Sequence, residues 1–80
     1  MTEQEVFTKI AALIEKHFNI ATDKITNELN FQTDLDADSI DKVEFVLELE
    51  DEFGAEISDE DAEKLATVGD AVQYILAHQN

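Results

Sequence analysis

The stretch that decides the fold is DSIDKVEFVLELEDEFG, Asp38 to Gly54. Its apolar residues recur at helical spacing, but on two faces rather than one. With Ile40 at 0° and about 100° per residue, Phe45, Val46, Leu49 and Phe53 fall between roughly 140° and 240°, a stripe for a core. Ile40, Val43 and Leu47 fall between roughly 300° and 0°, a second and narrower stripe. Asp41, Glu44, Glu48, Asp51 and Glu52 occupy roughly 20° to 120°, and Ser39 sits near roughly 260°, beside the second stripe. Asp38 is a good N-cap, Asp41 stands in the first turn where the helix dipole favours a carboxylate, and Gly54 is a natural stop. The expected helix therefore starts at Asp38 or Ser39 and ends near Phe53. A bundle helix needs only one apolar stripe. The second either packs on the preceding loop or a neighbouring helix, or stands open as a docking patch rimmed by carboxylates. For Ile40 both placements stay open; for Val43 and Leu47 partial exposure is expected.

Working outward, Val6, Phe7, Ile10, Leu13, Ile14 and Phe18 predict a first helix from about Thr2 to Phe18, with Thr2 and Glu5 as a capping box. Residues 19–37 lose this periodicity. They read as a long loop with a short helical turn near Asp23 to Leu29, anchored by Ile20, Ile25, Leu29, Phe31 and Leu35. ISDEDAEKL opens a short third helix capped by Ser58, with Asp59, Glu60 and Asp61 in its first turn. The last helix follows Thr67, carries Val68, Ala71, Val72, Ile75 and Leu76, and is expected to fray into AHQN. With no proline and two glycines in 80 residues, the reading is an all-α fold in a single small domain, residues 1–80.

Charge limits the function classes. Twenty acidic residues face five basic ones, a formal net charge of −15. Such a surface repels nucleic acid and anionic membranes, and attracts basic partners. Self-repulsion should make stability sensitive to salt, and millimolar divalent cation should raise the melting temperature by screening. The apolar fraction of 44%, arranged periodically, argues against disorder. Without cysteine, no disulfide or zinc–thiolate staple is available, which suits a reducing compartment. The start, MTEQEVFTKI, lacks a signal-peptide core, and no apolar run is long enough to span a bilayer. The expectation is a cytoplasmic protein.

Asp34, Asp36 and Asp38 alternate like the first half of a calcium loop. The match fails where glycine should make the sharp turn, because Ser39 stands there, and where the closing glutamate should be, because Phe45 stands there. No metal site is expected. His17 and His78 lie near helix C-termini, where a partly protonated imidazole suits the dipole. Ser39 has no evident general base, and there is no phosphate loop and no thiol nucleophile. Catalysis is not expected, and no catalytic residue is assigned.

Ser39 nonetheless stands apart from an ordinary helix-terminal serine. A long loop precedes it, Asp38 and Asp41 flank it, and an apolar stripe with an acidic rim lies beside it. A phosphate ester there would meet the free N–H groups of the helix terminus. At these residues the chain resembles bacterial acyl carrier proteins. The resemblance covers essentially the whole length: the first helix, NFQTDLDADS, DADSIDKVEFVLELEDEFGAEISDEDAEKLATV and AVQYI. DSI matches the family's D-S-[LI] attachment motif.

The resemblance implies a small four-helix bundle with a long loop between helices 1 and 2 and a short third helix. It implies that Ser39 receives 4′-phosphopantetheine from coenzyme A through a holo-synthase, a phosphopantetheinyl transferase. The thiol of that arm would hold growing acyl chains as thioesters, so the sulfur absent from the sequence comes with the cofactor. It implies that the second helix docks fatty-acid-synthesis and acyltransferase enzymes through basic patches on them. Asp38, Asp41, Glu44 and Glu48 would form the acidic rim, and Ile40, Val43 and Leu47 the apolar contacts. The expected protein is freestanding and monomeric. Two departures stand out: Asp36 replaces the glycine that many members have before ADS, and Lys42 places a positive charge on the recognition helix. Two alternatives remain: a carrier dedicated to a polyketide, lipoteichoic-acid or other specialised pathway, and an acidic adaptor without covalent cofactor.

Overall fold

Helix α1 (Glu3–Phe18) begins where the capping box predicted. Thr2 Oγ1 accepts the Glu5 N–H at 3.2 Å, and Glu5 Oε1 accepts the Thr2 N–H at 3.1 Å. These hydrogen bonds, the backbone one first, hold the Glu5 carboxyl below its ordinary value. α1 ends at Asn19, which adopts the left-handed conformation and returns its N–H to Glu15 O at 2.9 Å. Val6, Ile10 and Ile14 are fully buried, and Ala11 joins them. Phe7, Leu13 and Phe18 pack at the edges of this stripe, half-buried.

The computed structural model describes residues 1–35 and 38–78. The loop position assigned to Asp36 lies outside the described residues, as do the side chain of Ser39 and the terminal Gln79 and Asn80. Within the described residues the remaining helices are α2 (Ser39–Phe53), α3 (Asp59–Lys64) and α4 (Val68–His78). α1 packs against both α4 and α2. Phe45, Leu49, Val68, Val72 and Ile75 close the core against it. The fold is the all-α four-helix bundle with a short α3 that the sequence implied.

The segment between α1 and α2 is more ordered by hydrogen bonds than its composition suggests. Among its described residues the helical piece is a 3-10 turn at Thr22–Lys24, not a turn reaching Leu29. Beyond it, Asn30 organises a knot. Its Oδ1 accepts the N–H groups of Gln32 and Thr33 at 2.8 and 3.0 Å, and its own N–H donates to Asp34 Oδ2 at 2.8 Å. The segment is then pinned to the start of α4. Phe31 N–H donates to Ala66 O, Val68 N–H to Leu29 O and Gly69 N–H to Asn27 O, at 2.8–3.0 Å. Ile25 and Phe31 enter the core, while Ile20, Leu29 and Leu35 lie half-buried against it.

The C-terminal half is fastened by caps and one phenol. Ser58 Oγ accepts the Asp61 N–H, which starts α3. Thr67 Oγ1 accepts the Asp70 N–H, and Asp70 Oδ2 accepts from Ala66 and Thr67 in return. The Tyr74 hydroxyl donates to Asp61 Oδ2 at 3.0 Å, tying α4 to α3. Partial burial, and then this hydrogen bond, push the Tyr74 phenol above its ordinary value. The fraying expected from Ala77 does not begin there. α4 runs through His78, whose ring stacks on Tyr74 with centroids 4.0 Å apart and whose Nδ1 lies 2.8 Å from the Tyr74 carbonyl oxygen.

Candidate functional site on helix α2

Asp38 decides where α2 starts. Its backbone is extended, its Oδ1 accepts the Asp41 N–H at 2.9 Å, and its carbonyl accepts the Lys42 N–H at 3.1 Å. The chain therefore turns into helix at Ser39, the first residue of α2. Gly54, at φ 62°, ends the helix in the left-handed conformation that glycine tolerates. Asp34 and Asp38, two of the three alternating aspartates, both accept backbone N–H groups within their own turns.

The two stripes read from the sequence part company in the fold. Phe45, Val46 and Leu49 are buried, with Phe53 half-buried beside them. Ile40 is 68% exposed, and Val43 and Leu47 are each 58% exposed. That resolves Ile40 as open. Among the described residues these three and Met1 are the large apolar side chains left exposed. Three of the four therefore share one line along α2. Asp38, Asp41 and Glu44 are exposed beside that line.

Glu48 is placed differently from the other acids. It is half-buried, and its Oε1 lies 3.4 Å from Nε2 of His17, in the last turn of α1. The His17 ring also meets Phe45 edge-on, with centroids 6.2 Å apart, and Phe18 at 6.3 Å. His17, Glu44, Leu47, Glu48 and Asp51 line an open cleft here of about 340 Å³.

On the other side of α2 a groove of about 460 Å³ runs between α2, α3 and the loop. Gln32, Asp38, Lys42, Val43, Val46, Asp59, Ala62 and Glu63 line it. Lys42 is half-buried in this wall. Sequence reasoning placed Lys42 among the acids of a docking surface and did not foresee the groove. The signal was present, because Lys42 falls near roughly 200° on the helical wheel, within the core-facing arc.

This residue set fits a phosphodiester-linked arm. Asp38, which caps α2, is among the groove's lining residues, next to the helix start, where unsatisfied N–H groups favour an anion. Lys42 supplies one cation to its wall beside the carboxylates of Asp38, Asp59 and Glu63, and Val43, Val46 and Ala62 supply apolar wall.

The comparisons agree with this geometry. A family model described as "Phosphopantetheine attachment site" matches residues 8–75. The chain is 68% identical over 80 residues to acyl carrier protein of Lactobacillus johnsonii, covering 100% of both chains. It is 62% identical over 79 residues to acyl carrier protein of Lactobacillus acidophilus, covering 99% of each. A solved structure of acyl carrier protein from Enterococcus faecalis superposes with a TM-score of 0.85 at 59% identity, covering 99% of this chain and 100% of that one.

Proposed function

This chain belongs to the acyl carrier protein family, and on that premise we propose that Ser39 is its attachment point for 4′-phosphopantetheine. Ser39 is the first residue of α2; the residue before it, Asp38, lines the α2–α3 groove, and the residue after it, Ile40, begins the exposed apolar line with Val43 and Leu47. That coincidence is the observation carrying the assignment. The N-terminal N–H groups of α2 and the Lys42 ammonium would hold the phosphate end. Asp38 keeps the helix start fixed. Val43, Val46 and Ala62 would shelter apolar cargo in the groove. When bound, the group supplies the thiol that carries acyl chains as thioesters.

The exposed line of α2 serves as the docking face. Ile40, Val43 and Leu47 supply apolar contact area, and Asp38, Asp41, Glu44 and Glu48 attract basic patches on a partner. The partners are the phosphopantetheinyl transferase that loads Ser39 and the enzymes of fatty-acid synthesis and acyl transfer that use the loaded arm. The net charge of −15 supports fast, salt-sensitive encounters with basic enzymes. The chain acts as a carrier rather than a catalyst, as a monomer in the cytoplasm. Among the described residues no helix is long and apolar enough to cross a membrane.

The reading is tested by incubating the protein with coenzyme A and a phosphopantetheinyl transferase and measuring intact mass. One phosphopantetheine of added mass is expected. A chain that gains none would overturn the carrier reading.

A further inference from the structure

We propose that His17 is a positioning residue for the docking face, holding the Glu48 carboxylate toward α1 in competition with incoming partners. The inference rests on the reading of α2 as the docking helix. Three observations carry it. Glu48 Oε1 lies 3.4 Å from His17 Nε2, whereas Asp38, Asp41 and Glu44 stand exposed. His17 Nε2 is buried with no hydrogen-bond partner, and the Glu48 carboxylate, 3.4 Å away, is the group a charged ring would hold. The ring is braced by Phe18 and Phe45, so the imidazole cannot easily follow Glu48 outward.

The consequence is a competition. A basic partner that docks along Ile40, Val43 and Leu47 must take Glu48 from His17 before it can use that charge. Protonation of His17 strengthens its hold on Glu48, and deprotonation relaxes it. The titratable groups facing the ring across the α1–α2 cleft are Glu44, Glu48 and Asp51. Lys16 precedes it on its own helix. Glu48 is thus a held charge, distinct from the free acids around it.

The test uses the full chain and two readouts. First, the Glu48 side-chain carboxyl carbon is followed by NMR as the pH passes through the range where imidazoles titrate. A response is expected in the wild type and is lost in both His17→Leu and His17→Gln. Second, KM and kcat for loading by a phosphopantetheinyl transferase are measured at one fixed pH. His17→Leu frees Glu48 and should lower KM by roughly two- to fivefold with kcat unchanged. In a Glu48→Gln background the same substitution should leave KM unaltered, which a purely structural role for His17 does not predict. A Glu48 signal blind to the His17 substitutions, or a KM effect that persists without Glu48, overturns the proposal. If the wild type is not loaded at all, the Ser39 assignment falls, and the NMR readout alone still decides the His17–Glu48 contact.

Discussion

Leu47 and Leu49 stand two positions apart on α2 yet face opposite fates: Leu47 is 58% exposed, and Leu49 is fully buried against the bundle core. One helix thus carries a buried face and an exposed apolar face, the proposed docking face, built from the same residue type. Truncation should separate the two. Leu49→Ala is expected to cost about 2–5 kcal/mol in chemical denaturation, from lost burial and the cavity left behind. Leu47→Ala should change stability by about 0.5 kcal/mol or less, yet raise KM for a docking enzyme. Equal destabilisation by both would show that Leu47 is covered in solution.

The Asp61–Tyr74 hydrogen bond predicts alkaline behaviour. The Tyr74 phenol is held above its ordinary value of 10.0, so folding favours the neutral form. Its contribution is complete below the unfolded value and is lost as the pH rises through the folded one. Tyr74→Phe should cost about 1 kcal/mol at neutral pH. The gap between wild type and variant should shrink above pH 10, as read by denaturation at a series of pH values.

At the acid end the sign reverses. The Glu5 carboxyl lies below its ordinary value of 4.5 through its hydrogen bonds with Thr2. Its stabilisation is present above the unfolded value and is lost as the pH falls through the folded one. Glu5→Gln should therefore flatten part of the acid-side decline in melting temperature. An unchanged acid slope would show that the capping box does not persist in solution.

Gly69 tests the seam between the loop and α4. A Cβ at this position would lie 3.0 Å from the Asn27 carbonyl oxygen, the atom that accepts the Gly69 N–H. Gly69→Ala should force the Asn27 backbone to give by a few tenths of an ångström, straining the hydrogen bonds that pin the loop to α4 and destabilising the fold despite alanine's higher helix propensity. Amide exchange at Val68 and Gly69 should accelerate with it. A more stable variant would contradict the close approach.

The elements legible in the sequence were those written in local signals. Thr2 with Glu5, Asp38 with Asp41 and Ser58 with Asp61 each cap their own first turn, and Gly54 ends α2 by its own backbone freedom. Periodicity separated the Leu49 stripe from the Leu47 stripe. It could not say whether Ile40 would be covered, because an angle on a helix does not reveal what packs there. Residues 27–35 were the least legible. The Asn30 knot and the Asn27–Gly69 contact are fixed by backbone hydrogen bonds, some to residues far along the chain, which leave no hydrophobic period behind. His17 was read through its own helix dipole, whereas Glu48, 3.4 Å from its Nε2, comes from another helix.

High net charge makes a further prediction about the whole domain. With a formal charge of −15, raising salt from low to moderate concentration, or adding millimolar divalent cation, should raise the melting temperature. For a domain of this size, each 1 kcal/mol of relieved repulsion corresponds to about 4–8 °C. A melting curve indifferent to both would remove self-repulsion as a significant factor.

The central claim is the assignment of Ser39, and site-resolved mass spectrometry tests it most directly. The protein is loaded from coenzyme A by a phosphopantetheinyl transferase, digested, and fragmented to locate the added group. The account predicts the arm on Ser39 alone, with no addition to Ser39→Ala under the same conditions. An arm mapped to any other residue, or a Ser39→Ala chain that still gains the mass, would contradict it.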